Sequence, residues 1–421
     1  MGNPDPFIEA QFPFSLFEVT GLELEYMIVN RDTLSIAPLC DKLLEAAGEL
    51  NDNEVYPEGR DGPAAWSNEL VLHVVEFKTP KPVPTLAGLD EVFHRQVVRA
   101  NTLLSRWNAC LMPTAMHPWM NPAVETRLWP HGGNEIYAAF DDLFDCKRHG
   151  WANLQSIHIN LPFANDSEFR KLHSAIRVVL PLLPALAASS PIMDANLTGY
   201  PDNRLEVYRK NCARIPQISG KIIPEIVDGR EAYESLILRP IYDALTPLDP
   251  QKILQHEWIN ARGAIARFDR GSIEIRLSDI QECPRADVAI AALITAVVKA
   301  LVDEELSDRE EQERLRTDIL TETLNDAIRY GSASLLKDPH FLRCLGLPEK
   351  AIPQGELWQG LAKKTLPSDS PFFSDLNTIF EEGCLALRME RSIVQGQTPS
   401  LHSLYNVLCR CLHNNCMFSC K

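Results

Sequence analysis

Charged side chains recur at the spacing of a β-strand in two short segments that lie far apart in the chain. Glu23 and Glu25 alternate with leucines in one segment, and Glu274 and Arg276 alternate with isoleucines in the other. Because alternate side chains of an extended strand share a face, each charged pair should project from one face while its apolar neighbours pack on the other. A pair of carboxylates, and a carboxylate beside a guanidinium, are suited to binding metal ions and phosphate.

Three further candidates lie in segments that also have the composition of strands. Glu69 and Glu76 fall within the stretch 67–78, and His158 falls within 153–163. A single carboxylate in a strand is usually an ordinary solvated residue, and a single strand histidine is more often a packed or surface residue than a ligand. Taken with the first two pairs, however, these residues predict an oxygen-rich site with one histidine. Such a site suits Mg²⁺ or Mn²⁺ and not a cysteine-type zinc centre.

The spacing of Glu69 and Glu76 does not fit one regular strand. Residues seven apart in a strand project to opposite faces. We therefore predict that a β-bulge re-aims one of the two, or that only one reaches the site. Glu76 is favoured because it lies just before Thr79-Pro80, where a proline ends the strand.

The elements that must position these side chains mix strands and helices without a regular βαβ alternation. Helical patterns are a segment at 40–49, a helix from the candidate N-cap Thr85, the proline-broken 167–188 and most of the chain after Pro284. Strand patterns cover 16–30, 67–78, 153–163 and 265–280, and long loops are expected at 117–135 and 189–224. This predicts an α+β domain built on an antiparallel sheet over residues 1–300, with a mainly helical region at 301–421 packed on the same domain.

Composition is that of an ordinary globular protein. Of the 421 residues, 45% are hydrophobic and 23% are charged, and the formal net charge is −16. That charge argues against a nucleic-acid or anionic-membrane binder, but not against a nucleotide substrate held by local arginines. The N-terminus has no secretory signal pattern, and prolines interrupt the longest apolar run, at 178–189. The odd count of eleven cysteines fits reduced thiols better than a set of disulfide bonds. We therefore expect a cytoplasmic protein without a membrane segment.

For two segments in the last third of the chain we prefer a structural interpretation to a functional one. The tail 409–421 is rich in cysteine, which could mean a metal-binding or redox-sensitive segment. Its spacings match no standard zinc motif, so we favour a disordered or helical tail with free thiols. The acidic stretch 303–313 is most simply the solvated face of a helix.

Five short motifs follow one another in the first three hundred residues. They are TGLELEY at 20–26, VEFKTP at 75–80, SIHIN at 156–160, SSPIMDANLTG at 189–199 and SIEIR at 272–276. Together they resemble the glutamate–cysteine ligase family and, more narrowly, its bacterial and plant-type carboxylate–amine ligase branch. The resemblance covers roughly residues 16–300 and rests on the order of the motifs, because any one of them alone would be weak evidence.

The resemblance implies a glutamine-synthetase-like fold, in which a curved antiparallel sheet holds ATP and divalent metal ions on its concave face and carries helices on its convex side. It also implies a reaction: ATP phosphorylates a carboxylate, typically the γ-carboxylate of glutamate, and an amine such as cysteine attacks the acyl phosphate to give an amide. Phosphoryl transfer concentrates negative charge between donor and acceptor, so metal ions and positioned cations are required. By the same resemblance the metal ligands are Glu23, Glu25, Glu69, Glu76, His158 and Glu274.

Arg276 and Glu76 are the catalytic residues that the resemblance implies, with Arg276 gripping the phosphate in a bidentate manner. A basic segment at 203–221 follows the fourth motif, and from it we expect Arg204 and Arg214 to contact ATP phosphate or substrate carboxylate. The alternative is a basic surface loop paired with acidic helices. A second basic cluster precedes Glu274 and consists of Arg262, Arg267 and Arg270, the last of which could simply serve the turn before the strand.

Two other functions stay open at this point. A guanidino phosphotransferase would share the same broad fold, although its cysteine-centred motif is not evident here. A non-catalytic nucleotide- or amino-acid-binding protein could also keep the fold, but it would have no need to retain a costly cluster of like charges. Neither the amine acceptor nor the oligomeric state follows from the sequence.

Overall fold

Eight strands pair into one antiparallel sheet in the computed structural model, which describes residues 11–50 and 53–420. The sheet order is β2-β3-β4-β1-β6-β10-β9, with β5 pairing along the far end of β1, and β7–β8 and β11–β12 form two small ribbons. The strands are β1 Gly21–Asn30, β2 Glu54–Val55, β3 Ala65–Asn68, β4 Val74–Lys78, β5 Ala109–Met112, β6 Ser156–Pro162, β7 Ile192–Met193, β8 Asn196–Leu197, β9 Ala264–Arg267, β10 Ser272–Asp279, β11 Leu335–Leu336 and β12 Ile352–Pro353. The prediction of an α+β architecture on an antiparallel sheet is confirmed.

Eighteen α-helices are described, ten before the last strand of the main sheet and eight after it. The first ten are α1 Cys40–Ala47, α2 Leu89–Leu104, α3 Pro122–Glu125, α4 Asn134–Phe144, α5 His149–Ala152, α6 Asp166–Val179, α7 Leu183–Ala187, α8 Asn203–Tyr208, α9 Arg230–Tyr233 and α10 Arg239–Leu245. The others are α11 Pro284–Val302, α12 Arg309–Glu313, α13 Thr317–Tyr330, α14 Pro339–Cys344, α15 Gln354–Thr365, α16 Phe373–Glu382, α17 Leu385–Val394 and α18 Leu401–Asn414.

Strand β1 shows why the sheet has one apolar and one charged face. Leu22 and Leu24 are fully buried in the main hydrophobic cluster, where the Tyr26 hydroxyl also donates to Asp287 on α11 at 3.2 Å. Burying a leucine side chain contributes about 1.5–3 kcal/mol, so a one-residue slip that exchanged these leucines with Glu23 and Glu25 would be strongly unfavourable. The apolar face therefore fixes the direction in which the two glutamates point.

The stretch 67–78 is not one strand, and that prediction is wrong. The chain forms β3, reverses direction through residues 69–73 and returns as β4, with Ser67 opposite Glu76 in the register. The single strand expected at 265–280 is likewise a hairpin of β9 and β10. Gly271 closes this hairpin with φ of 66°, and a Cβ there would lie 2.5 Å from the Phe12 side chain, so the turn requires glycine.

Several boundaries also differ from prediction. Thr85 is not the N-cap of α2, because Gly88 occupies that position and the Thr85 hydroxyl accepts a hydrogen bond from the Ala87 amide instead. The loop expected at 117–135 contains α3 and the start of α4, and that expected at 189–224 contains a strand ribbon and α8. A short turn of helix held by long-range contacts leaves little periodicity in the sequence.

The C-terminal helices pack on the charged face of β1 at the end away from the glutamates. Met27 and Val29 form a hydrophobic cluster there with Leu404, Tyr405 and Leu408 of α18. This packing leaves only the Glu23–Glu25 end of that face open. The predicted division at residue 300 stays a prediction.

The cysteine-rich tail is helical as far as Asn414, as favoured above, and all eleven cysteines have free thiols in the described part of the chain. None of the described helices is both long enough and apolar enough to cross a bilayer. Residues 1–10, on which the expectation about a signal segment depends, lie outside the described residues.

Candidate active site

Neighbouring strands bring the predicted acidic residues to one place. In the register of the sheet, Glu25 lies opposite Glu76 on β4, and Glu23 lies opposite His158 on β6. Glu274 on β10 lies opposite Asn160 on β6, two residues beyond His158. Because cross-strand partners share a face, all five predicted ligands on strands project to the same side. They meet where the centre of the sheet is left uncovered.

Glu69 joins this group through the chain reversal that the sequence did not reveal. It follows β3 directly, two residues after Ser67, and lies close to the carboxylates of Glu25 and Glu76. Oxygens of Glu25, Glu69 and Glu76 lie within 4.8 Å of one another, and the same holds for ligand atoms of Glu23, Glu76 and His158. Two groups of three ligands thus share Glu76, and no β-bulge is needed in this part of the sheet.

The His158 imidazole lies at the centre of the acidic residues. Its Nδ1 is 3.0 Å from Glu23 Oε2 and 3.7 Å from Glu274 Oε1, and its Nε2 is 3.7 Å from Glu25 Oε1. Burial by itself favours the neutral ring, but the Glu23 hydrogen bond and the surrounding carboxylates outweigh it and raise the pKa of His158 to about 9. Without a metal ion, a protonated histidine partly compensates the charge.

The pKa values of the carboxylates shift in opposite directions within this acidic cluster. Burial and the negative charge of Glu23 raise the pKa of Glu76 to about 7, and burial and the charges of Glu25 and Glu76 raise the pKa of Glu69 well above its usual value. Glu23 is half-buried, and although desolvation opposes its charge, the hydrogen bond that it accepts from His158 and the positive charge of that ring lower its pKa to about 2. So many buried acids at one point require additional positive charge before all of them can ionise at neutral pH.

A β-bulge does occur, but on β10. The pairing of β10 with β6 shifts between Ile275 and Ser278, so that Asp279 lies opposite Ser156, on the face of Glu274, although the two positions differ by an odd number. Asp279 therefore returns to the face of the site, where its Oδ1 accepts from Arg204 Nε at 2.5 Å. Sequence alternation alone would have placed Asp279 on the other face.

Two of the predicted arginines line the site. Arg276 donates from Nε to Glu274 Oε1 at 2.6 Å and keeps a partly exposed guanidinium at the cavity. Arg204 is buried, and besides its Asp279 contact it donates from Nη2 to the Arg276 carbonyl oxygen at 3.2 Å. Arg204 thus supports the backbone that carries Arg276.

The structure does not bring Arg214 to the site. Arg214 is exposed and donates from Nη1 to the Leu143 carbonyl oxygen at 2.7 Å, and it does not line the cavity. The alternative of a basic surface loop paired with acidic residues describes this segment better, since Arg209 and Lys210 both pair with Glu206. Arg204 differs because it lies in the first turn of α8 and contacts β10 through the Asp279 carboxylate and the Arg276 carbonyl oxygen.

The second basic cluster divides in a similar way. Arg262 forms a two-pronged ion pair with Glu225 and does not line the cavity. Arg267 and Arg270 do line it, and Arg267 Nη1 lies 3.5 Å from Glu274 Oε2. Arg270 contacts Asp269 in the turn at 3.8 Å, so it serves the turn and still borders the cavity.

Lys78 is a site residue that the sequence reasoning missed. It lies opposite Glu23, and its Nζ is 2.6 Å from Glu54 Oε1 and 3.3 Å from Glu76 Oε1. Burial disfavours its charge, but Glu76 and Glu54 outweigh that effect and raise the pKa of Lys78. Its position two residues after Glu76, within a strand, was the signal that could have identified it.

The charged cluster forms the floor of a cavity of about 610 Å³. Its other walls are largely apolar and aromatic, with contributions from Ile136, Tyr137, Phe140, Trp151, Trp258 and Ile259. A cavity of this size, with convergent charges at one end and aromatic rings at the other, is large enough for a nucleotide or an amino-acid substrate.

The donor set fits hard divalent cations. All ligand atoms of the two triads are carboxylate oxygens except one imidazole nitrogen, which is the preference of Mg²⁺ and Mn²⁺. The raised pKa values of Glu69 and Glu76 point the same way, because a bound cation removes the reason for their protonation. Glu23, Glu25, Glu69, Glu76 and His158 could therefore hold such ions, whereas both Glu274 oxygens contact arginines.

Comparison with known proteins gives a consistent result. A model of glutamate-cysteine ligase family 2 matches residues 19–389. An uncharacterized protein of Archaeoglobus fulgidus is 33% identical over 398 residues, 94% of this chain and 98% of that protein. A Rubrobacter xylanophilus protein provisionally named glutamate–cysteine ligase 2-3 is 26% identical over 306 residues, covering 72% of this chain and 74% of its own length.

Among solved structures, the chain is similar to a bifunctional glutathione synthetase from Pasteurella multocida. The TM-score is 0.63 at 14% sequence identity, and the match covers 95% of this chain but 53% of the other. This chain therefore spans about half the length of that protein. At such low identity the likeness establishes a shared fold and no more.

Proposed function

Because this chain belongs to glutamate–cysteine ligase family 2, we propose that it is an ATP-dependent carboxylate–amine ligase that forms a γ-glutamyl or related amide. The observation that carries the proposal is the pair of three-ligand groups that share Glu76, beside Arg276, on the floor of one cavity. We also propose that the sheet is of the glutamine-synthetase type, with its charged face as the catalytic face.

The chemistry needs a better leaving group than the oxide of a carboxylate. Phosphorylation by ATP supplies one, and the amine then attacks the acyl phosphate to release phosphate. Divalent cations held by the residues of the two triads would neutralise the charge that builds up during phosphoryl transfer. Glu76, which belongs to both triads, is the residue on which the arrangement depends most.

Cationic side chains complete the site. Arg276 is oriented by its Glu274 contact through Nε, which leaves further N–H groups for phosphoryl oxygens. Lys78 lies across β1 on the same face and supplies a second positive charge. Aromatic and apolar side chains on one side of the cavity would limit the access of water to an acyl phosphate.

The test is mass spectrometry of reactions that contain ATP, Mg²⁺, glutamate and a panel of amines that includes cysteine. The proposal requires a condensation product, with ADP formed only when an acid is present. A stable phosphorylated guanidinium compound without an amide would instead indicate a guanidino phosphotransferase. ATP binding in a calorimeter without turnover on a broad panel of acids and amines would indicate a non-catalytic binding protein.

A further inference from the structure

A second cluster of metal-ligating side chains lies in the helical C-terminal region, away from the cavity. Glu311 lies on α12, and His340 and Cys344 lie on α14. The histidine and the cysteine are four residues apart in one helix, so they share a face, and that face contacts α12. None of the three lines the catalytic cavity.

We propose that Glu311, His340 and Cys344 form a binding site for Zn²⁺ or a transition-metal ion of similar preference. His340 Nε2 lies 2.9 Å from Glu311 Oε2, and Cys344 Sγ lies 3.4 Å from the Glu311 carbonyl oxygen. One nitrogen, one sulfur and one carboxylate oxygen lie within 4.8 Å of one another. Ligands of a tetrahedral zinc ion are about 3.5 Å apart, given bonds of roughly 2.0–2.3 Å, so small side-chain rotations suffice.

The types of ligand determine which ion fits. A thiolate together with an imidazole selects borderline-soft ions such as Zn²⁺ over Mg²⁺, the opposite of the preference of the catalytic cluster. Cys344 is fully buried, whereas the side chains of Glu311 and His340 are 33% and 27% exposed. The ion can therefore enter from the exposed side, where a water molecule can complete the coordination.

The surroundings already orient the carboxylate. Arg314 Nη1 donates to Glu311 Oε1 at 2.9 Å, which leaves Oε2 for the ion and acts as an outer contact of the kind that supports metal ligands. Two residues further along α12, Glu313 pairs with Arg170 of α6 at 2.8 Å. An ion at this site would thus hold α14 to α12, which is itself tied to α6, so the expected role is to stabilise the fold.

Binding exchanges a proton for the metal ion. The S–H bond of Cys344 breaks, a sulfur–metal bond forms and the proton goes to solvent. Because the thiol must lose this proton before the metal ion binds, the apparent affinity should rise with pH.

The test is titration of the metal-free full-length protein with Co²⁺ in excess Mg²⁺, which occupies oxygen ligands but not a thiolate. We expect one equivalent of Co²⁺ to produce the near-ultraviolet thiolate-to-cobalt charge-transfer band. The band should be lost in Cys344→Ser. In His340→Gln the affinity for Co²⁺, measured from the same band, should fall by tenfold or more. It should persist in Cys212→Ser, which alters the thiol that lines the catalytic cavity, and in Cys416→Ser, which alters an exposed thiol.

A second measurement covers the case in which Cys344→Ser folds poorly. In excess Mg²⁺, Zn²⁺ should raise the Tm of the wild-type protein by more than it raises that of His340→Gln, a partly exposed position. Absence of the charge-transfer band in the wild-type protein, or its persistence in Cys344→Ser, would overturn the proposal. Either result is independent of ligase turnover, because Mg²⁺ and the catalytic residues are unchanged.

Discussion

Glu25 and Glu76 lie directly opposite each other across the pairing of β1 and β4, and both are buried. Like charges at such a position destabilise a sheet. The chain tolerates them because Lys78, His158 and Ser67 contact the cluster, with Ser67 Oγ donating to Glu76 Oε1 at 2.7 Å. An arrangement that costs stability in the free protein is expected where a ligand later supplies the missing charge.

Metal-free protein should lose stability as the pH rises. The pKa of Glu76 is about 7 in the folded chain against an ordinary value of 4.5, so the folded state binds more protons than the unfolded state between these values. Stability should therefore fall by about 1–3 kcal/mol from pH 4.5 to 7. Urea unfolding at several pH values measures this, and Glu76→Gln should flatten the slope.

The His158 contribution falls in a higher pH range. Its folded pKa of about 9 exceeds the ordinary 6.5, so its stabilising effect is complete below pH 6.5 and is lost as the pH approaches 9. Saturating Mg²⁺ should reverse most of the loss at pH 8. If Mg²⁺ left the unfolding midpoint unchanged there, the assignment of metal ligands would be contradicted.

Substitution of Glu25, a proposed metal ligand, or of Glu274, which orients Arg276, should strongly reduce turnover without unfolding the protein. We expect Glu25→Gln and Glu274→Gln each to lower kcat/KM by about 100-fold or more, because charge stabilisation is lost at the phosphoryl group. ADP release and thermal unfolding are the measurements. Glu45→Gln on the exposed surface of α1 is the matched control and should leave both unchanged. Full turnover in both site variants would exclude the proposed assignment.

Arg276 and Arg214 should behave differently in the same conservative substitution. Arg276→Lys loses the Nε contact to Glu274 and the planar fork that grips phosphate, so we expect kcat to fall by roughly 10-fold or more. Arg214→Lys should retain wild-type kinetics because the Arg214 guanidinium is exposed and donates to the Leu143 carbonyl oxygen, away from the cavity. Equal losses in the two variants would contradict the placement of Arg214 outside the site.

Lys78 should contribute to both charge balance and substrate binding. Lys78→Met leaves Glu54 and Glu76 without their cation, so we expect a higher pKa for Glu76 and a higher KM for ATP. Steady-state kinetics over a range of ATP concentrations and pH values measures both changes. Lys42→Met, at an exposed position on α1, controls for the loss of a surface charge; an unchanged KM in Lys78→Met would exclude a role in nucleotide binding.

Part of the site could be predicted because strand alternation is a local property. The two-residue period that buries Leu22 and Leu24 necessarily places Glu23 and Glu25 together, and Glu274 with Arg276 follows the same rule. Lys78 follows the same rule, because it lies two residues after Glu76 on β4 and shares its face.

Other features required contacts between distant segments. The reversal between β3 and β4 brings Glu69 close to Glu25 and Glu76, and no local signal in the sequence marks that position. The bulge in β10 reverses the expected face of Asp279, and the buried Asp279 carboxylate then forms an ion pair with Arg204. Composition could not distinguish Arg204 from Arg214, because both lie in one basic segment and differ only in what the folded chain places beside them.

The sequence by itself determined which face of β1 is charged and, through five ordered motifs, the family to which the chain belongs. The tertiary structure decided which strands are neighbours, and therefore that Glu23, Glu25, Glu69, Glu76 and His158 form two triads rather than separate surface charges. The physical reason is that side-chain direction follows from the backbone of one strand, whereas the order of strands follows from burial of the apolar face shared by the whole sheet.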